Sequence, residues 1–236
     1  VVTPARALRL AASALLSLSL GSTSVPVLGG LDDWLAGKAS LGAIVIGDIR
    51  LPRTLLALGV GAALGLSGAA LQGLLRNPLA DPALTGASQG AALGAAAVFY
   101  FGLLPQLGSA APAVAGLAGA LAALLLMLAL AGGARPAMVI MAGLAISTLA
   151  GAALATVLNF APNPYAMQEL VFWLLGSVSE RGLDHLALLG PALLAGAALI
   201  FSQRRLLSGL SLGEQVAESM GLNVRRGSRL IVLGVA

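Results

Sequence analysis

The sequence predicts an all-α fold: a polytopic transmembrane helix bundle of six spans, the start of a seventh, and one short helix lying beside the membrane. Three observations carry this. Apolar residues make up 58% of the chain and charged residues only 9%, whereas a soluble core under a polar skin needs far more surface charge. Long uncharged runs recur; the one from Thr54 to Leu75 would extend about 33 Å as a helix, enough to cross the roughly 30 Å hydrocarbon core. Prolines, glycines and arginines punctuate these runs at the spacing of spans and turns.

The first span is expected at about residues 10–31. Arg6 and Arg9 precede it, but it is longer than a signal-peptide core of about 7–15 residues. The second covers 54–75. The uncharged stretch from Pro82 to Ala134 is too long for one span, and Pro105 and Pro112 around Gln106, Gly108 and Ser109 split it into spans at 86–104 and 113–133. The fifth, 137–159, is ended by Pro162, Asn163 and Pro164, and the sixth covers 185–203. After Arg229 another apolar run opens and stops. Residues 1–236 therefore read as one transmembrane domain, truncated within a seventh span.

Between the sixth span and that run, the segment 208–227 carries helix signals at both ends. Ser211 and Glu214 have capping-box spacing, and Gly221 is placed to stop the helix in a left-handed conformation. A helix from Leu212 to Met220 would be about 13 Å long, too short to span. Leu212, Val216 and Met220 fall on one stripe and Glu214, Gln215 and Glu218 elsewhere, the layout of an apolar ridge that enters a groove on another protein.

Cation placement sets the orientation. With the N-terminus cytoplasmic, the inner side receives Arg6, Arg9, Arg76, Arg135, Arg204, Arg205, Arg225, Arg226 and Arg229, and the outer side Lys38, Arg50, Arg53 and Arg181, which obeys the positive-inside rule. Asp32, Asp33, Asp48, Glu169, Glu180 and Asp184 fall outside. The basic balance is thus read as topology, and no nucleic-acid partner is expected.

Small residues recur four apart at Gly61 and Gly65 and at Gly86, Gly90 and Gly94, spacing that lets helix backbones approach closely. Arg50 and Arg53 lie one turn apart and share a face. They serve either as interfacial snorkels or as a docking point for carboxylates of an outer partner. At the other end of that span, Gln72 is an amide within apolar sequence and Arg76-Asn77-Pro78-Leu79-Ala80-Asp81-Pro82 leaves the membrane through two prolines. Gln72, Asn77 and Pro78 are candidates for a translocation path or for a plain helix break. His185, the one histidine, is expected to be structural, and no metal site, cofactor or catalytic residue is assigned. With no cysteine there is neither a disulfide framework nor a thiolate site.

Two rivals come from other classes. Gly65-Leu66-Ser67-Gly68 could belong to an intramembrane serine protease, and Gly209-Leu210-Ser211-Leu212-Gly213 has nucleophile-elbow spacing, but the elbow needs a strand before it and a histidine nearby. An ion-gradient-driven secondary transporter would also be a Gly-rich bundle. Its usual charged midplane residues are missing from these spans, and the capped inner helix has no role in it.

The run RLPRT through RNPLADP to LTGASQGA, followed by LGEQVAESMGLNVRR, resembles the FecCD-type permeases, the membrane subunits of binding-protein-dependent ABC importers for ferric siderophores, haem and vitamin B12. The resemblance covers nearly the whole chain. It implies a ten-helix subunit of which about four spans are missing, a second permease subunit in a homodimer or pseudo-dimer, two ABC ATPase subunits inside and a substrate-binding protein outside. It implies that Arg50 and Arg53 meet glutamates of the binding protein. Leu212, Gly213, Glu214, Val216, Ala217, Met220 and Gly221 would form the segment coupled to the ATPase. The chain has no Walker A pattern, so nucleotide hydrolysis would reside on the separate ATPase. An apolar pathway suits a bulky chelate better than a bare cation, which needs oxygen or imidazole ligands; a ferric siderophore is the first expectation, with haem and cobalamin behind it.

Overall fold

The computed structural model describes residues 3–132, 136–160, 164–179 and 181–236. Ala134, Arg135, Pro162, Asn163 and Glu180, which entered the span boundaries and the charge count, lie outside the described residues. Every regular element among the described residues is helical: α1 (Pro4–Ser19), α2 (Val27–Leu35), α3 (Leu41–Ala43), a π-helix (Ile44–Arg50), α4 (Leu51–Leu75), a 3-10 turn (Pro82–Thr85), α5 (Ala87–Phe101), a second 3-10 turn (Pro105–Ala110), α6 (Ala111–Ala131), α7 (Pro136–Asn159), α8 (Pro164–Leu175), α9 (Leu183–Ser202), α10 (Arg204–Leu210), α11 (Glu214–Ser219) and α12 (Val224–Val235). Among the described residues four stretches are long and apolar enough to cross a membrane: Leu41–Leu75, Pro105–Ala131, Met138–Asn159 and Leu183–Ser202. Two compact units make up the fold, Val1–Ala63 with Ser177–Leu194 and Leu64–Gly176 with Ala195–Ala236.

In the first unit the expected span over 10–31 is not continuous. Helix α1 stops at Ser19, about 24 Å long at 1.5 Å per residue, and the chain resumes as α2 only at Val27. Gly21, Ser22, Thr23, Ser24 and Pro26 permit the break, since small polar residues compete with helix and proline cannot donate into one. The second span is longer than expected, because the helix begins at Leu41 and runs unbroken to Leu75. Its charges do not end it, since they are satisfied where they stand. Trp34 Nε1 donates to Asp48 at 3.0 Å, and Arg50 is bonded to carbonyls. The π-turn is closed by the Leu51 N–H on the Ile46 carbonyl. It leaves no room at two glycines of this hairpin: a Cβ on Gly47 would run into the Trp34 ring, and one on Gly30 would meet the Gly42 oxygen at 2.7 Å.

Ser40 ties the hairpin together by accepting from the Ala43 N–H at 3.0 Å and donating to Asp33 at 2.9 Å. That bond first, and the Lys38 ammonium at 3.2 Å second, hold the Asp33 carboxyl below its ordinary value. A carboxylate favoured in the folded state supports the hairpin above the usual carboxylate range and loses that support as pH falls through its folded pKa. We expect Ser40→Ala to move the Asp33 titration upward, read from the carboxyl carbon shift in a labelled sample; an unmoved titration would refute Ser40 as the cause.

The second unit is organised by α5 against α6. Gly90 faces the Gly119 carbonyl, where a Cβ would stand 2.5 Å from the oxygen, and Gly94 lies directly on the Ala115 carbonyl. The close-approach reading thus holds for Gly90 and Gly94. Gly86 instead sits in a turn at φ +78°, and Gly61 and Gly65 face open space. Helix α5 has 15 residues, about 22 Å, short of the hydrocarbon thickness. Helix α8 lies between the expected fifth and sixth spans, where no element is assigned from sequence: Leu170 is fully buried among Ala92, Ala95, Ala96 and Leu154, and the Phe99 and Trp173 rings meet edge to face at 6.5 Å. The last helix starts earlier than the apolar run suggests, because Asn223 caps it by accepting from the Arg226 N–H at 2.9 Å.

Candidate functional site

Three segments singled out by sequence take defined shapes. The first is the arginine pair, which the fold separates in role. Arg50 is 7% exposed, and its guanidinium donates to the carbonyls of Leu18 at 2.9 Å, Ser19 at 3.2 Å and Thr23 at 2.5 Å. Leu18 and Ser19 belong to the last turn of α1, whose carbonyls have no helical partner, and in apolar surroundings such groups require a donor. Arg50 is therefore a latch on the end of α1. Thr54 reinforces it: its hydroxyl donates to the Arg50 carbonyl at 2.8 Å and in turn receives the Ser17 hydroxyl at 2.8 Å. Gly21 permits the approach, since a Cβ there would stand 2.5 Å from an Arg50 nitrogen. Arg53, one turn on, is exposed. Both line an open pocket of about 310 Å³ with Ser17, Ser22, Thr23 and Ile49. The two arginines are one turn apart as the spacing requires, yet only Arg53 is free for an external carboxylate.

The second segment, Arg76 to Ala87, is a chain of caps. Arg76 takes a left-handed φ of +47°, ending α4, and the Asn77 N–H closes back on the Gln72 carbonyl at 3.2 Å. The Asn77 side chain accepts from the Leu79 N–H at 2.9 Å and Asp81 from the Ala83 N–H at 2.7 Å. Thr85 then accepts from the Ala87 N–H at 3.3 Å, starting α5. Asn77 and Pro78 thus build a turn. Gln72, expected as a buried amide, is exposed on α4.

The third segment is α11. Its capping box does not form: Ser211 donates to the Ser208 carbonyl at 2.7 Å and belongs to the end of α10, while the N-cap is Gly213 at φ +119° and ψ 153°, open only to glycine. The helix is accordingly Glu214–Ser219 rather than Leu212–Met220. A helix, not a strand, precedes Ser211, which removes the context a nucleophile elbow needs. The C-terminal stop is as expected. Gly221 is left-handed at φ +78°, its N–H bonds to the Glu218 carbonyl at 2.9 Å, and the Leu222 N–H reaches the Ala217 carbonyl at 3.1 Å, the two bonds of a Schellman motif. Ala217 is fully buried and packs toward Gly209, so it anchors the helix rather than meeting a partner. Leu212, Val216 and Met220 are 66%, 42% and 60% exposed, Val216 on the helix, Leu212 before its N-cap and Met220 at its C-cap, so the stripe expected of a helix from Leu212 to Met220 is broken at Gly213. Glu214 lies in the first turn, where the helix dipole favours an acid.

Residues 9–236 match the FecCD transport family. The chain belongs to that family. It is 38% identical over 249 residues to the ferric enterobactin transport system permease protein FepD of Escherichia coli strain K12, covering all of this chain (100%) and 70% of that protein. To the hemin transport system permease protein HmuU of Yersinia pestis it is 39% identical over 191 residues, covering 79% and 57%. To the cobalamin import system permease protein BtuC of Halobacterium salinarum it is 32% identical over 230 residues, covering 92% and 61%. A solved structure of an inward-facing metal-chelate type ABC transporter superposes with a TM-score of 0.79 at 28% identity, covering 97% of this chain and 72% of that one. The chain thus spans 57% to 70% of the length of these three relatives. As a member of this family it is a multi-pass membrane protein and a transport component.

Sequence reasoning missed the Leu18, Ser19 and Thr23 carbonyls and the Trp34–Asp48 pair. Backbone acceptors leave no residue-type signature; a lone Trp fourteen positions before an Asp carries one only once the hairpin is known.

Proposed function

We propose that this FecCD-family chain is the membrane-spanning permease subunit of an ABC importer, passing a metal chelate from an extracytoplasmic binding protein to the cytoplasm. A ferric siderophore is the first substrate, with haem or cobalamin behind it. The relatives' names include all three chelates. The subunit sits in the bacterial cytoplasmic membrane with its N-terminus inside, pairs with a second permease subunit, and takes its energy from separate ATPase subunits.

The observation that carries this reading is a bare apolar surface made by Val216 on α11, Leu212 just before its Gly213 cap and Met220 just after its last residue, with the helix held at one end by Gly213 and at the other by the Schellman turn. A short capped helix with an exposed apolar residue on it and one at each flank suits a groove on a partner, and the partner's motion is then passed on as rigid-body displacement. Affinity purification of the tagged full-length protein from its native membrane, with mass spectrometry, should recover a stoichiometric ATPase; a reproducibly solitary protein would refute the reading. Val216→Arg places a charge in the middle of that surface and should abolish coupled uptake while the melting temperature stays within about the ±0.5 kcal/mol equivalent usual for surface changes. On the outer side Arg53→Glu should weaken binding-protein affinity by ten-fold or more, about 1.4 kcal/mol. Unchanged affinity would remove Arg53 from the docking surface.

A further inference from the structure

Five arginines crowd one edge of the second unit. Arg204 and Arg205 follow Ser202, the last residue of the apolar helix α9, after a single Gln203. The start of α12 lies against them: a Cβ on Gly227 would strike Leu206 and stand 2.9 Å from the Gln203 amide oxygen, and further along Gly234 lies against Gly196. So α12 returns antiparallel to the end of α9 and brings Arg225, Arg226 and Arg229 to the same level as Arg204 and Arg205. All five are exposed. The ion pairs among the described residues are Lys38–Asp33 and Asp184–His185, so no carboxylate there neutralises any of the five.

We propose that this cluster is a docking site for the headgroups of anionic phospholipids. Three features favour a lipid over a protein partner. The cations begin two residues after an apolar helix ends, which is the depth of the phosphates bordering a span, where arginine clusters bind them. Phe201 beside them is 61% exposed, giving acyl chains an apolar wall under the headgroup. The apolar surface assigned to the ATPase is centred on a different helix, Glu214–Ser219, that carries Glu214 and Glu218 and no cation. The site rests on the reading that α9 crosses the bilayer.

The test uses the full-length permease with whatever ATPase co-purifies, titrated with phosphatidylglycerol or phosphatidylcholine and read by native mass spectrometry. Wild type should retain phosphatidylglycerol preferentially, and the Arg204→Gln/Arg229→Gln double variant should lose that preference by about fivefold per charge. Arg204→Lys/Arg229→Lys should keep it, because a headgroup phosphate meets an ammonium as well as a guanidinium point charge; this also controls for folding. Equal retention by wild type and the Gln variant overturns the proposal. So does loss of the ATPase from the Gln variant with lipid retention unchanged, which would assign the cluster to that subunit. A wild-type protein that never carries an ATPase refutes the importer reading alone, since lipid retention is still read on the permease.

Discussion

Gly94→Ala should destabilise the permease at or beyond the upper end of the roughly 1–3 kcal/mol typical of overpacking. The reason is what the new methyl would meet. At Gly94 the obstacle is the Ala115 backbone carbonyl, which cannot rotate aside as a side chain can. The only relief is to move α5 away from α6 along its length, and Gly90 and Gly119 form the same kind of contact with each other, so the separation would open both. Gly61→Ala is the matched control. It has the same chemistry on α4, with nothing within 4 Å of the added carbon, and should fall within about 0.5 kcal/mol of wild type or gain slightly from helix propensity. Thermal unfolding of the two purified variants in one detergent separates the cases; equal melting temperatures would mean that the α5–α6 approach is not tight.

What was legible in advance follows from where the information lies. The helical class and the later apolar spans could be read because hydrophobic length and proline placement are properties of the chain itself. The interruption at Ser19 could not be placed, since Gly21 to Pro26 are compatible with a span until a donor for the orphaned carbonyls is found, and that donor is Arg50, more than thirty residues away. The same bond misled in the other direction: Arg50 and Asp48 look like residues that must sit outside a helix, yet each is hydrogen-bonded by a tertiary partner, so the helix runs on through them from Leu41. Helix α8 escaped notice because Pro164 reads as a breaker and equally as the first residue of a new helix. At α11 the Ser211–Glu214 spacing suggested a capping box, and Gly213 won because its left-handed freedom allows a sharper entry than Ser211 could. The Gly221 stop was legible, being set by local conformation; Leu212, Val216 and Met220 are exposed, but the helical stripe expected from their spacing is not kept, because the helix is confined to Glu214–Ser219 and a non-helical Gly213 separates Leu212 from Val216.

The latch makes Arg50→Gln the more instructive of the two arginine substitutions. Three carbonyls lose a cationic donor together, each loss costing about 1–3 kcal/mol when the acceptor stays dry. The pocket beside them is open, so water can reach the Thr23 carbonyl more readily than those of Leu18 and Ser19 inside the α1 turn, and the total should come to about 3 kcal/mol, with α1 detached first. Hydrogen exchange should show the end of α1 opening well before the global transition, and Arg50→Lys, with three donors on a shorter reach, should restore part of the loss. Arg53→Gln should leave both readouts alone, because its side chain is exposed. If the two Gln variants melt and exchange alike, the latch is refuted. If they differ as expected, a docking defect in an Arg50 variant reports first on the position of α1, and only a defect in an Arg53 variant with an unshifted melting temperature identifies a contact with the binding protein itself.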